Sequence, residues 1–205
     1  LTVPWNSTGK PLVYRLDNGV GKWYEQMLLP LRFVGSNSAD SQYRKGGVYV
    51  VFNGGEQFDD WLSVKLTRDY DAQIIWVGRK ALDEDVQEKI RRFKSTGREP
   101  TYLQADTADL DSLTKVYRQI QERFGAIDGV VICESLVKER SVNDLDEDRL
   151  IENLKDRVVT NARIVQVFSV KKMDFMLFLS SMKSLNKMNN QSNHASVCTF
   201  GDVFS

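Results

Sequence analysis

Cysteine and histidine are nearly absent from this sequence. Cys133 and Cys198 are its two cysteines and His194 its one histidine. Two cysteines so far apart make neither a metal-ligand cluster nor a disulfide framework. No metal site is expected, and a reducing cytosol is the expected setting. An excess of one charge is missing too. Lys+Arg and Asp+Glu stand at 28 each, which removes any bulk attraction to nucleic acid or to a membrane surface. No apolar run reaches the ~18 residues that span a bilayer. The opening LTVPWNSTGK lacks the basic-then-apolar order of a signal peptide. A start at Leu1 reads as a cut from a longer chain. What remains is ordinary: 205 residues, 41% hydrophobic and 27% charged, enough for one globular domain with an appendage.

Residues 11–34 hold two short apolar runs around DNGVG and read as a hairpin or two edge strands. A polar stretch, GSNSADSQYRKG, reads as a linker. The expected division is residues 1–43 as an appendage with its linker, and 44–205 as the main fold. From residue 47 the pattern alternates. Strands are expected at GVYVVF, AQIIWVG, TYLQAD, IDGVVIC and DFMLFLSS. Helices are expected over 57–69, 83–96, 109–125 and 146–170, with another beginning after 194. In the first of these Phe58, Trp61, Leu62, Val64 and Leu66 are the apolar candidates. The third has an aspartate start and a glycine stop. Strands that alternate with helices imply right-handed crossovers and an α/β, Rossmann-like doubly wound parallel sheet, ending after about the fifth strand. Its near-continuous apolar strands suit a sheet covered on both faces. Ligands of such sheets bind beyond the carboxyl ends of the strands. The segments to inspect are therefore 53–60, 78–80, 105–107, 133–135 and 180–194.

The order and spacing of YRKGGVYVVFNGG, WVGRK, YLQADTADLDSL, FGAIDGVVIC and FLSSMKSLNKMNNQSNHAS resemble the ketoreductase domains of modular polyketide synthases, members of the short-chain dehydrogenase/reductase superfamily. PLVYRLDNGVGKWYEQMLLPL resembles the end of the structural subdomain that precedes their catalytic half. The resemblance implies NADPH as cofactor and a β-keto group on a carrier-bound chain as substrate. It also implies two sets of functional residues.

The cofactor loop, NGGEQFDDW, keeps Gly54 and Gly55. The resemblance places two further glycines at Gln57 and Asp60, where side chains crowd a pyrophosphate. Glu56, Asp59 and Asp60 add negative charge. Two unit charges ~4 Å apart interact by ~4 kcal/mol at an effective dielectric of 20, a large part of the ~8 kcal/mol of a micromolar complex. The same acids suit the start of a helix. Arg79 matches the arginine aimed at the 2′-phosphate, with Lys80 in place of a serine, and Asp106 matches an aspartate at the adenine. Both also read as turn or surface residues. Cys133, Glu134 and Ser135 stand where the family has a small-residue turn beside the nicotinamide ribose.

The catalytic set implied by the resemblance is a serine and a tyrosine on the carbonyl, a lysine that lowers the tyrosine pKa, and an asparagine in a proton relay. Here those positions are Ser181, His194, Arg157 (with Lys155 nearby) and Cys198. Arginine does not replace a lysine that tunes a proton, and cysteine is a weak donor. Ser181 also reads as a turn residue. KSLNKMNNQSN, between the serine and tyrosine positions, reads as a mobile loop. The expectation is a degenerate, non-catalytic pseudo-ketoreductase without a cofactor, bracing or spacing neighbouring domains such as a methyltransferase, ketosynthase or acyl carrier protein. Two alternatives stand beside it. One is a diverged reductase or epimerase working through Ser181 and His194. The other is a module that docks a carrier protein through VKKMD, RRFKS or VGRK.

Overall fold

A computed structural model describes residues 12–25, 29–30, 41–53, 57–93, 97–133, 147–181 and 192–205, with the backbone alone for some of them, 57–59 and 192–197 included. The chain divides into two compact units, Leu1–Asp40 and Ser41–Ser205.

In the first unit β1 (Leu12–Asp17) and β2 (Val20–Glu25) pair antiparallel, with Asp17 opposite Val20. The register leaves Asn18 and Gly19 as a two-residue turn, and both have positive φ, 50° and 80°. Asparagine followed by glycine is the pair that tolerates this geometry, whose twist matches the strands it joins. Tyr14 lies opposite Trp23, and their rings meet at 5.1 Å.

The second unit is a five-stranded parallel sheet in the order β5-β4-β3-β6-β7. Its strands are β3 (Val48–Phe52), β4 (Gln73–Gly78), β5 (Thr101–Gln104), β6 (Gly129–Ile132) and β7 (Phe175–Phe178). Its helices are α1 (Gln57–Tyr70), α2 (Glu84–Arg92), α3 (Leu110–Phe124), α4 (Glu147–Phe168) and α5 (Ser192–Phe204). The Rossmann-like α/β class expected from the sequence is the class observed. Every residue of β3 and β6 is buried, because helices cover both faces. Val50, Phe52, Val77 and Val130 meet Val116 and Ile120 of α3 and Ile164 and Phe168 of α4 on one face. Tyr49, Val51 and Trp76 meet Leu62 and Leu66 of α1 and Phe93 on the other. Trp76 donates its indole N–H to Ser63 Oγ at 3.1 Å inside the second core.

Trp61 departs from the expectation for α1. It is 57% exposed, while Leu62, Ser63, Leu66 and Thr67 are buried. A narrow stripe at one-turn spacing faces the sheet, and Trp61 falls outside it. Helix ends follow side-chain chemistry. Asp83 accepts from the Val86 amide and Asp109 from the Ser112 amide, each cap contributing about 1 kcal/mol. Gly125 ends α3 at φ 83°.

The amino ends of the central strands are tied together by side chains. Val48 N–H donates to Asp128 Oδ2 at 2.8 Å. Arg44 forks onto both oxygens of Asp174 and reaches Asp128 at 3.4 Å. Tyr43, at the end of the polar stretch before β3, packs edge-on against Tyr49, Tyr70 and Phe175. Among the described residues no helix is long and apolar enough to cross a membrane.

Candidate functional site

In the order β5-β4-β3-β6-β7 the chain leaves β3 in one direction to β4 and returns on the other side at β6. The crevice beyond the carboxyl ends of β3 and β6 is thus the switch point where ligands of such sheets sit. Asn53 closes β3 there. Its backbone is left-handed, φ 57°, a conformation asparagine tolerates better than most residues. Its N–H donates to Val77 O at 2.8 Å, and its side-chain amide donates to Cys133 O at 3.0 Å. One residue therefore joins the ends of β3, β4 and β6. Sequence reasoning passed over it, although an asparagine between a strand and a glycine pair was the available signal. Gly54, Gly55, Glu56, Glu134 and Ser135 lie outside the described residues, as do residues 182–191.

Gln57 opens α1, and Asp60 lies one turn in. The Asp60 side chain is half-buried, and its Oδ1 has no hydrogen-bond partner among the described residues. Burial pushes its carboxyl pKa up, with Lys89 and Arg92 of α2 acting in the opposite sense. Where a glycine would leave room, this carboxyl instead loses hydration without a bonded replacement. The side chains of Gln57 and Asp59 are not described.

Arg79 follows the end of β4, its side chain part-exposed. Its Nε donates to Thr107 Oγ1 at 3.0 Å and its Nη2 to Thr160 Oγ1 at 2.9 Å. Asp106 Oδ1 lies 3.8 Å from Nε. Gln104 donates to the Arg79 carbonyl and Tyr102 to that of Lys80. Arg79 and Asp106 thus lie near each other beyond the ends of β4 and β5. The two threonine partners were not foreseen. Both are buried. Thr160 belongs to a polar set, Arg157, Thr160 and Asn161, that shares the buried face of α4 with Ile164. Polar residues at helical spacing on an otherwise apolar face were the legible sign.

The remaining candidates lie on α4, after β7 and on α5. Arg157 is buried, whereas Lys155, two residues earlier, faces solvent. Ser181 is half-buried beyond β7. His194 lies in the first turn of α5 and Cys198 one turn further on, fully buried. The His194 side chain is not among those described, so no Ser181–His194 contact is drawn. Among the described residues no cluster of histidine, cysteine and acids is arranged to hold a metal ion.

Comparison with known proteins gives a consistent set. A family model described as KR domain matches residues 47–205. Polyketide synthase PksM of Bacillus subtilis (strain 168) is 39% identical over 99% of this chain, which spans 5% of that protein. PksN of the same organism is 33% identical over 100% of the chain and 4% of its own length. ThaG of Burkholderia thailandensis is 32% identical over 92% and 3%. The chain therefore spans a small fraction of the curated relatives it matches. Among solved structures, a ketoreductase domain from the bacillaene assembly line superposes with TM-score 0.72 at 24% identity, over 93% of this chain and 45% of that one. An N-terminal ketoreductase from the macrolactin assembly line gives 0.70 at 19%, over 87% and 35%.

Proposed function

The chain belongs to the KR domain family, and from that premise we propose that it is a non-reducing, ketoreductase-like domain of a cytoplasmic polyketide synthase, in which it braces or spaces neighbouring domains. Residues 1–43 are the end of a preceding structural subdomain and 44–205 the degenerate fold. The observation that carries this reading is the filling of the lysine position. The resemblance assigns that position to Arg157, which is buried on α4, while Lys155 is exposed. An arginine holds its proton at any working pH and cannot tune a neighbouring acid as a lysine does. The buried Cys198 supports the same conclusion, since a thiol makes a poor link in a proton relay.

The family draws hydride from NADPH, and the residues present do not fit that group. Asp60, where the resemblance places a glycine, carries a buried carboxyl oxygen with no partner among the described residues. A pyrophosphate brought near it would add charge repulsion to a group already short of hydration. Arg79, the residue matched to the 2′-phosphate, is engaged with Thr107 and Thr160. The contrast with the amino ends of the sheet supports selection on the fold. There Arg44 forks onto Asp174 and lies 3.4 Å from Asp128, which in turn accepts from Val48 N–H.

The test is direct. The chain is titrated with NADPH while nicotinamide fluorescence is followed, then offered a β-ketoacyl thioester with NADPH in excess. No saturable binding and no reduced product are expected. Micromolar binding together with turnover would end the proposal.

A further inference from the structure

Arg79 combines three facts. Its guanidinium spans elements far apart in sequence: the end of β4, Thr107 beyond β5, and Thr160 on α4. Both threonines are buried, Thr107 at 1% and Thr160 at 4% exposure, so each hydroxyl depends on a protein partner. The side chain itself is 44% exposed, with Asp106 Oδ1 at 3.8 Å from Nε. A guanidinium presents its donors in a rigid plane. The Nε–H and one Nη2–H are committed to hydroxyls on separate elements, so those two of its five donors are not at the same time presented to a phosphate. Turning outward would take a charged donor away from two buried hydroxyls.

We propose that Arg79 is an internal strap and not a phosphate receptor: it binds β4, the turn after β5 and α4 to one another, and so closes the nucleotide end of the fold to 2′-phosphorylated adenosines. Asp106 holds the strap from the solvent side. A matching arginine in the sequence is thereby put to a different use, through the two hydroxyls available to it. The proposal rests on the non-reducing reading in one respect, that no nucleotide competes for the guanidinium.

The experiment is a thermal-melt cycle on the 205-residue chain with Arg79→Met, Thr160→Val and the pair combined, each with and without millimolar 2′,5′-ADP. Each single variant is expected to melt several degrees lower. The double variant is expected to fall little further, because both changes break the same tie. Thr160→Ser, which keeps the hydroxyl, is expected to melt like the unaltered chain. Added 2′,5′-ADP is expected to shift none of them. In hydrogen exchange, Arg79→Met is expected to speed amides at 105–109 and 158–162 together. If that variant does not fold, Arg79→Lys, whose single ammonium reaches one hydroxyl, is expected to give a partial loss that Thr160→Val does not deepen. Additive losses overturn the strap, as does a rise in melting temperature with 2′,5′-ADP that Arg79→Met abolishes. Additive losses without reduction of a β-ketoacyl thioester remove the strap and leave the non-reducing reading. Reduction with a coupled Arg79–Thr160 pair does the reverse.

Discussion

Arg44, just before β3, holds both carboxylate oxygens of Asp174, just before β7, across 130 residues of chain. The bond ties the amino end of the central strand to that of the edge strand at β7. It is charge-assisted and bidentate, the geometry that gives an arginine–carboxylate pair its direction. The pair lowers the Asp174 pKa and raises that of Arg44.

Asp174→Asn is expected to lower the melting temperature at pH 7 by a few degrees. The carboxylate is depressed in the folded chain. Its contribution is therefore present above the unfolded value of ~3.9 and is lost as pH falls through the lower, folded value. The parent–variant gap should close below about pH 4 and narrow in 1 M salt, where an exposed pair is screened. Melts across pH 2–8 check this, and a gap that persists under acid would assign the loss to packing. Asp69, held between Lys65 and Arg68 and lowered to about 2, titrates on the same acid limb.

Asp60→Asn should act in the opposite direction. Burial raises this carboxyl, and the attraction of Lys89 and Arg92 only reduces the shift. A raised group contributes its full share below the unfolded value and loses it as pH rises through the folded one. At neutral pH the charge therefore costs stability. The asparagine variant is expected to be more stable at pH 7 by up to about 1 kcal/mol, given partial solvent screening, and indistinguishable near pH 3. Urea midpoints at the two pH values measure the difference. A less stable variant at pH 7 would mean that the attraction of Lys89 and Arg92 outweighs burial.

Gly129→Ala is expected to destabilise the sheet by about 1–3 kcal/mol. A Cβ there would stand 2.6 Å from Cζ of Phe175. That ring stacks on Tyr49 at 5.8 Å and is met edge-on by Tyr43, so neighbouring rings restrict its movement. Phe175→Leu in the same chain should recover part of the loss in urea unfolding. No recovery would place the strain in the backbone.

Restoring the catalytic set alone should not restore reduction. A chain carrying Arg157→Lys, His194→Tyr and Cys198→Asn is expected to yield no reduced β-ketoacyl product with NADPH, because on the proposed reading Gln57 and Asp60 still stand where the resemblance places glycines. His194→Phe alone should leave both reduction and product stereochemistry unchanged. Product from the triple variant would mean that the cofactor still binds and that only the proton chemistry was lost.

The layout of the fold was legible because it rests on local signals. Apolar runs at 48–52, 74–77 and 129–132 became buried strands, and Asp109 and Gly125 bounded α3 as their side-chain and backbone chemistry dictates. The destinations of long side chains were not legible. Arg79 was recognisable by its place after a strand, but Thr160 reaches it from 81 residues away, and only the packing of α4 decides that. Tyr43 stood in a stretch read as linker, yet its ring joins an aromatic group drawn from β3, α1 and β7. Trp61 failed for a local reason: an apolar residue adjacent to a helical stripe looks, in sequence, much like a member of it.

The placement of β3 at the centre sets an order of assembly. During synthesis it is the first strand of the sheet to emerge. One of its edges finds β4 after a single helix, but the other waits for β6, and Val48 meets Asp128 eighty residues later. The half built from β3, β4 and β5 consists of nearer pairings and loses less chain entropy on closing. Until β6 arrives, that half carries an open apolar edge through the middle of the future sheet. The nascent chain is then most exposed to wrong pairing, and the Arg44–Asp174 bond forms only after that interval has ended.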